Sequence, residues 1–167
     1  MSHADAAPAK AQNQGRIVDI RLDEKTLVRR RAEVEHERSV AMFDILESNV
    51  FEVEALDGPY DVVLSVADNR LVFDITTHDQ PGTGQSHNLP LSIFRTIVKD
   101  YFMICESYYS AIKTLSPSQI EAIDMGRRGL HDEGAELLTE RLEGKITIDK
   151  STARRLFTLI CVLHIRG

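Results

Sequence analysis

The sequence predicts an α+β fold, an antiparallel sheet of about three to five strands with helices packed on one face, and three observations carry that reading. Two adjacent runs, 61–67 and 70–76, alternate apolar and polar residues about Asp68-Asn69. The stretch 92–115 keeps a helical apolar period throughout its length. Strand-like runs come first along the chain and a run of helices follows.

In chain order, residues 1–15 (MSHADAAPAKAQNQG) lack an apolar core and read as a disordered N-terminal tail, leaving 16–167 as a single α+β domain. Residues 17–22 alternate well enough for a short edge strand with Val18, Ile20 and Leu22 on one face. A charged stretch holding Arg29, Arg30 and Arg31 leads into a helix over 33–49, with Val40, Met42, Phe43, Ile45 and Leu46 as its expected buried positions and Asn49 as its stop. Phe51 and Val53 alternate with Glu52 and Glu54, and the turn Asp57-Gly58-Pro59 delivers a second strand at Tyr60.

If Asp68-Asn69 is a two-residue turn, Val66 faces Leu71, Leu64 faces Phe73 and Val62 faces Ile75. A slip of one residue would bury Asp61, Arg70 and Asp74 instead, so the side-chain pattern fixes the register. Residues 77–86 form a Gly, Pro and polar loop, and 87–91 add one more short strand.

The central helix is expected to bury an arc that includes Phe94, Val98, Tyr101, Phe102, Cys105 and Tyr109, with Ser92 as its N-cap and Ser116-Pro117 as its stop. Ser116, Pro117 and Gln119 then combine an N-cap, a proline at the first helical position and a capping-box glutamine. Gly126, Gly129 and Gly134 follow, each costing a helix about 1 kcal/mol. Either the helix breaks there or the glycines admit a close neighbour. Helical patterning resumes over 135–142, Gly144 ends it, and Ile146 and Ile148 are extended. Asp149 caps a last helix whose Leu156, Phe157, Leu159, Ile160, Leu163 and Ile165 join the core.

Composition narrows the function. A net charge of -6 argues against general affinity for nucleic acid or anionic membrane. The charges within 92–115 and the shortness of the apolar run 156–165 exclude a membrane span. Cys105 and Cys161 sit in apolar helical arcs, which suggests buried, reduced thiols in a cytoplasmic setting. Gly82-Thr83-Gly84 lacks the lysine and the following helix of a phosphate-binding loop, and no serine nucleophile elbow occurs.

The strongest ligand-binding candidates are Arg127 and Arg128 together with His131 and Glu133, because glycines beside two guanidinium forks suit a phosphate or carboxylate ligand. The competing reading pairs these arginines with nearby carboxylates on the surface. Residues two apart on a helix do not face each other, which weighs against a metal at His131 and Glu133 or within Glu35-His36-Glu37. A site shared by His36 and His131 would need tertiary proximity. Arg154-Arg155 reads as a solvated face and Cys105-Glu106 as core packing, so no catalytic residue, metal or cofactor is assigned.

The stretches VEHER (34–38), FRTIVKDYFMICESYYSAI (94–112), IEAIDMGRRGLHDEG (120–134) and TARRLFTLICVLH (152–164) resemble the alphaproteobacterial uncharacterised protein family zero-two-six-two (UPF0262) over about 33–167. The resemblance implies a bacterial cytosolic protein and brings no catalytic residue with it. The resemblance carries no role for residues 1–32 or the 77–86 loop. The expectation is therefore a small non-enzymatic binding or regulatory protein, the alternative being a small enzyme acting on an anionic substrate, with Arg127 and Arg128 binding it and His131 or Glu133 as acid or base. A small anionic ligand is the partner this suggests, and a homo-oligomer is compatible with it.

Overall fold

A computed structural model describes residues 15–23 and 32–164. Among them the order is β1 (Ile17–Asp23), α1 (Ala32–Glu47), β2 (Phe51–Val53), β3 (Tyr60–Ala67), β4 (Arg70–Thr77), β5 (Gly84–Pro90), α2 (Ser92–Thr114), α3 (Pro117–Leu142), β6 (Ile146–Ile148) and α4 (Lys150–His164). The expected tail up to 14, the Arg29 to Arg31 run and Ile165 lie outside the described residues. Gly15 does not, and its carbonyl accepts a hydrogen bond from the Phe51 amide at 2.9 Å.

The β3–β4 hairpin has the expected register, Val66 opposite Leu71, Leu64 opposite Phe73 and Val62 opposite Ile75. Its turn residues Asp68 and Asn69 have φ of 53° and 60°, the left-handed pair that matches the twist of a two-residue hairpin. Leu64 and Phe73 are fully buried, in one contiguous core with Phe94, Val98 and Tyr101 of α2 and Leu156, Phe157 and Ile160 of α4. The four-stranded sheet has the order β1-β3-β4-β5. It is antiparallel through β3, β4 and β5, whereas β1 joins its edge parallel to β3. The intervening α1 supplies the crossover that parallel neighbours need. A second, two-stranded sheet pairs β2 with β6 and ties the first third of the chain to the last.

Helix α1 departs from expectation. Val40, Phe43 and Leu46 are exposed, while Ala41 and Ile45 are its buried residues. Its end is held by Asn49, whose side-chain amide donates to the Ile45 and Ile17 carbonyls and whose oxygen accepts from the Ile17 amide. At α2 the N-cap is Leu91, already helical, and Ser92 lies inside the helix. The chain enters α2 directly from the sheet, with the Leu91 amide bonded to the Asn69 carbonyl of the hairpin turn and no side-chain cap at the helix start.

Helix α3 starts with the full capping box of Ser116 and Gln119, and Asp149 accepts from the Thr152 amide at the start of α4. No break occurs at the three glycines. α3 runs unbroken from Pro117 to Leu142, and a Cβ at Gly126 would stand 2.7 Å from Ile104 Cδ1 of α2. A Cβ at Gly134 would overlap the Phe157 ring of α4. The helix tolerates these glycines because they let it approach both neighbours, and only Gly129 faces open space. α3 packs against α2 and α4, and α1 packs against α4.

Candidate functional site

Where α1, α3 and α4 meet over the middle of α2, they leave a cleft of about 390 Å³. Helix α1 contributes His36, Glu37, Val40, Ala41 and Asp44, α2 contributes Tyr101, α3 Arg127, Arg128 and His131, and α4 Arg154, Arg155 and Thr158. The helical period explains the selection. Positions 37, 40, 41 and 44 share one stripe of α1, as do 127, 128 and 131 on α3 and 154, 155 and 158 on α4.

Arg127 is the most enclosed of the arginines, with a side chain 24% exposed. Its Nε and Nη2 donate to Asp124 Oδ1 at 3.1 and 2.7 Å, Nη1 lies 3.5 Å from Glu37, and the guanidinium sits 4.7 Å from the centre of the Tyr108 ring. Every edge of it is engaged, so Arg127 joins α1 to α3. The other three differ. Arg128 is held through Nε by Asp124 at 3.2 Å, Arg154 through Nε by Asp132 at 3.3 Å, and Arg155 through Nε by Asp44 at 4.0 Å. Arg155 also donates from Nη1 to the Ser48 carbonyl. Among the described residues the Nη groups of Arg128 and Arg154, and Nη2 of Arg155, have no hydrogen-bond partner. Carboxylates thus flank these guanidinium groups on the Nε side, and among the described residues nothing pairs with these Nη groups.

His131 stands between the arginines with its Nε2 2.7 Å from the Thr158 hydroxyl. The Thr158 hydroxyl also lies 3.3 Å from the Arg154 carbonyl, and when it donates there the imidazole proton sits on Nε2. Nδ1 is then a bare lone pair, buried and without a partner. The ring packs between Tyr101 and Phe157, with centroids 5.5 and 5.4 Å away. Burial, reinforced by the Arg154 and Arg127 charges against the opposing pull of Asp132, lowers its pKa to about 4, so His131 is neutral at pH 7. Burial also raises the Glu37 carboxyl, against Arg127, Tyr109 and His36, which lower it.

Of the candidates read from sequence, Arg127, Arg128 and His131 therefore line one cleft, and His36 lines it with them. Glu133 is exposed and does not line it, because on α3 it points a third of a turn or more away from the 127, 128 and 131 stripe. Among the described residues no group of three or more His, Cys, Asp or Glu side chains is placed to hold a metal ion. Cys105 and Cys161 are buried, and desolvation pushes the Cys105 thiol up to about 11. Sequence reading missed Arg154, Arg155 and Asp44. The available signal was the spacing of Arg154 and Thr158 at i and i+4, which repeats the spacing of Arg127 and His131.

The family description "Uncharacterised protein family (UPF0262)" matches residues 14–166. The chain belongs to UPF0262. A UPF0262 protein of Rhodospirillum rubrum is 62% identical over 152 residues, covering 90% of this chain and 93% of its own. One from Paramagnetospirillum magneticum is 61% identical over 153 residues, covering 91% and 97%, and one from Caulobacter vibrioides is 59% identical over 158 residues, covering 94% and 98%. No solved structure matches the chain. The four stretches that carry the UPF0262 resemblance supply every cleft residue except Val40, Ala41 and Asp44. No helix among the described residues is long and apolar enough to cross a membrane.

Proposed function

We propose that this UPF0262 protein is a small cytoplasmic binding or regulatory module whose helix-lined cleft takes an anionic ligand bearing phosphate or carboxylate groups. The observation that carries the reading is the set of Arg128, Arg154 and Arg155, drawn from two helices and each braced by a carboxylate with outer N–H groups unpartnered among the described residues. Guanidinium forks held in place lose little entropy on meeting an oxyanion, and a partly enclosed site strengthens the charge-assisted bonds. The cytoplasmic part of the proposal rests on the two buried free cysteines.

A thermal-shift screen with phosphorylated and carboxylated metabolites tests it. At a hundredfold excess over Kd a ligand adds about 2.7 kcal/mol, which raises the melting temperature by several degrees in a chain of this size. Arg128→Ala should leave the unliganded stability within about 0.5 kcal/mol of wild type, since the side chain is 56% exposed, and should abolish the ligand-induced rise in melting temperature. If no compound of either class stabilises the protein, the reading fails.

His131 favours a second reading, a small enzyme on an anionic substrate, because its neutral imidazole lines the cleft among the arginines. Incubating the best stabilising compound with the protein and following its recovery separates the two. Unchanged compound supports the binding module, and conversion that His131→Gln prevents supports the enzyme.

A further inference from the structure

The cleft is bipolar. α3 and α4 are joined only through β6 and pack antiparallel, with His131 against Thr158 and Asp132 against Arg154. Arg128 lies one turn before His131 on α3 and Arg154 one turn before Thr158 on α4, so the antiparallel arrangement puts these arginines on opposite sides of the uncharged His131–Thr158 pair. Helix α1 supplies a ruler. Its Glu37 faces the Arg127 pole and its Asp44 the Arg155 pole, and these carboxylates are seven residues apart on one face. Seven residues of helix rise about 10 Å.

Resting on the anion-binding reading above, we infer that the ligand is bis-anionic, with two carboxylate or phosphate groups about 10 Å apart and an uncharged, hydrogen-bonding middle, and that Glu37 of α1, held against Arg127, competes with the group at its pole while Asp44 braces Arg155 at the other. A monoanion engages one pole only. A dianion of matching length engages both at the effective concentration set by its spacer, which favours one length over shorter and longer ones.

The test is a calorimetric titration of the full chain with two homologous ladders, straight-chain dicarboxylates from malonate to sebacate and the corresponding alkane bisphosphonates, with acetate and methylphosphonate as single-group references. The expected result is an affinity maximum at one intermediate length, about tenfold tighter than the single-group compound, in at least one ladder, and the tighter ladder names the headgroup. Glu37→Gln should tighten that optimum several-fold by removing a competing carboxylate, and Asp44→Asn should weaken it by releasing the Arg155 brace. Equal binding of all lengths and of the single-group references would overturn the bipolar site and leave the anion-binding reading standing. No binding by any compound would overturn both. If either variant fails to fold, the wild-type length profile decides alone.

Discussion

At the residue scale the three glycines of α3 separate packing from conformation. Gly134→Ala drives a methyl into the Phe157 ring and should cost about 1 to 3 kcal/mol, as overpacking of a tight core does. Gly126→Ala meets only the movable end of Ile104 and should cost less. Gly129 faces open space in a continuous helix, and Gly129→Ala should stabilise by up to about 1 kcal/mol. Urea midpoints of the three variants check the ranking, and a destabilised Gly129→Ala would contradict it. His131 gives a second expectation. Its folded pKa lies below that of an unfolded histidine, so the unfolded chain binds the extra proton first as pH falls. Its contribution is fully present above about pH 6.5 and is lost as pH falls towards about 4. Over that window His131→Gln should lose less stability than wild type, measured as the difference between their pH profiles of ΔG.

At the element scale the central helix is the place to look for stability, though through different residues from those the arc singles out. Phe94 is fully buried and Phe102 only partly so, because Phe102 falls at the margin of the arc. Phe94→Ala should therefore cost about 3 to 5 kcal/mol and Phe102→Ala clearly less, read from denaturation midpoints. An equal loss at both would remove Phe94 from the centre of the core. The hairpin was legible from sequence because alternation and turn chemistry are local and agree. Helix α1 was not. Its Val40, Met42, Phe43, Ile45 and Leu46 wrap more than half its circumference, so periodicity could not choose the face that Ala41 and Ile45 bury. The α3 glycines misled for a related reason, since propensity registers their cost and cannot register the helices pressed against them.

At the scale of the whole molecule the candidate site is a product of topology. Arg127, Arg128 and His131 stood out because glycines flank them, whereas Arg154 and Arg155 looked like a solvated face until α4 folded back along α3. Glu37 and Asp44 arrive from a helix more than eighty residues earlier in the chain, as the second wall. On the proposed function this cleft, and no other surface, receives an oxyanion. Amide correlation spectra of the isotope-labelled full chain, recorded during a titration with pyrophosphate, test it most directly. The predicted result is saturable shifts confined to residues 36–44, 127–131 and 154–158, lost in Arg128→Ala. Shifts that never saturate, or that centre on the sheet while these helices stay silent, would contradict it.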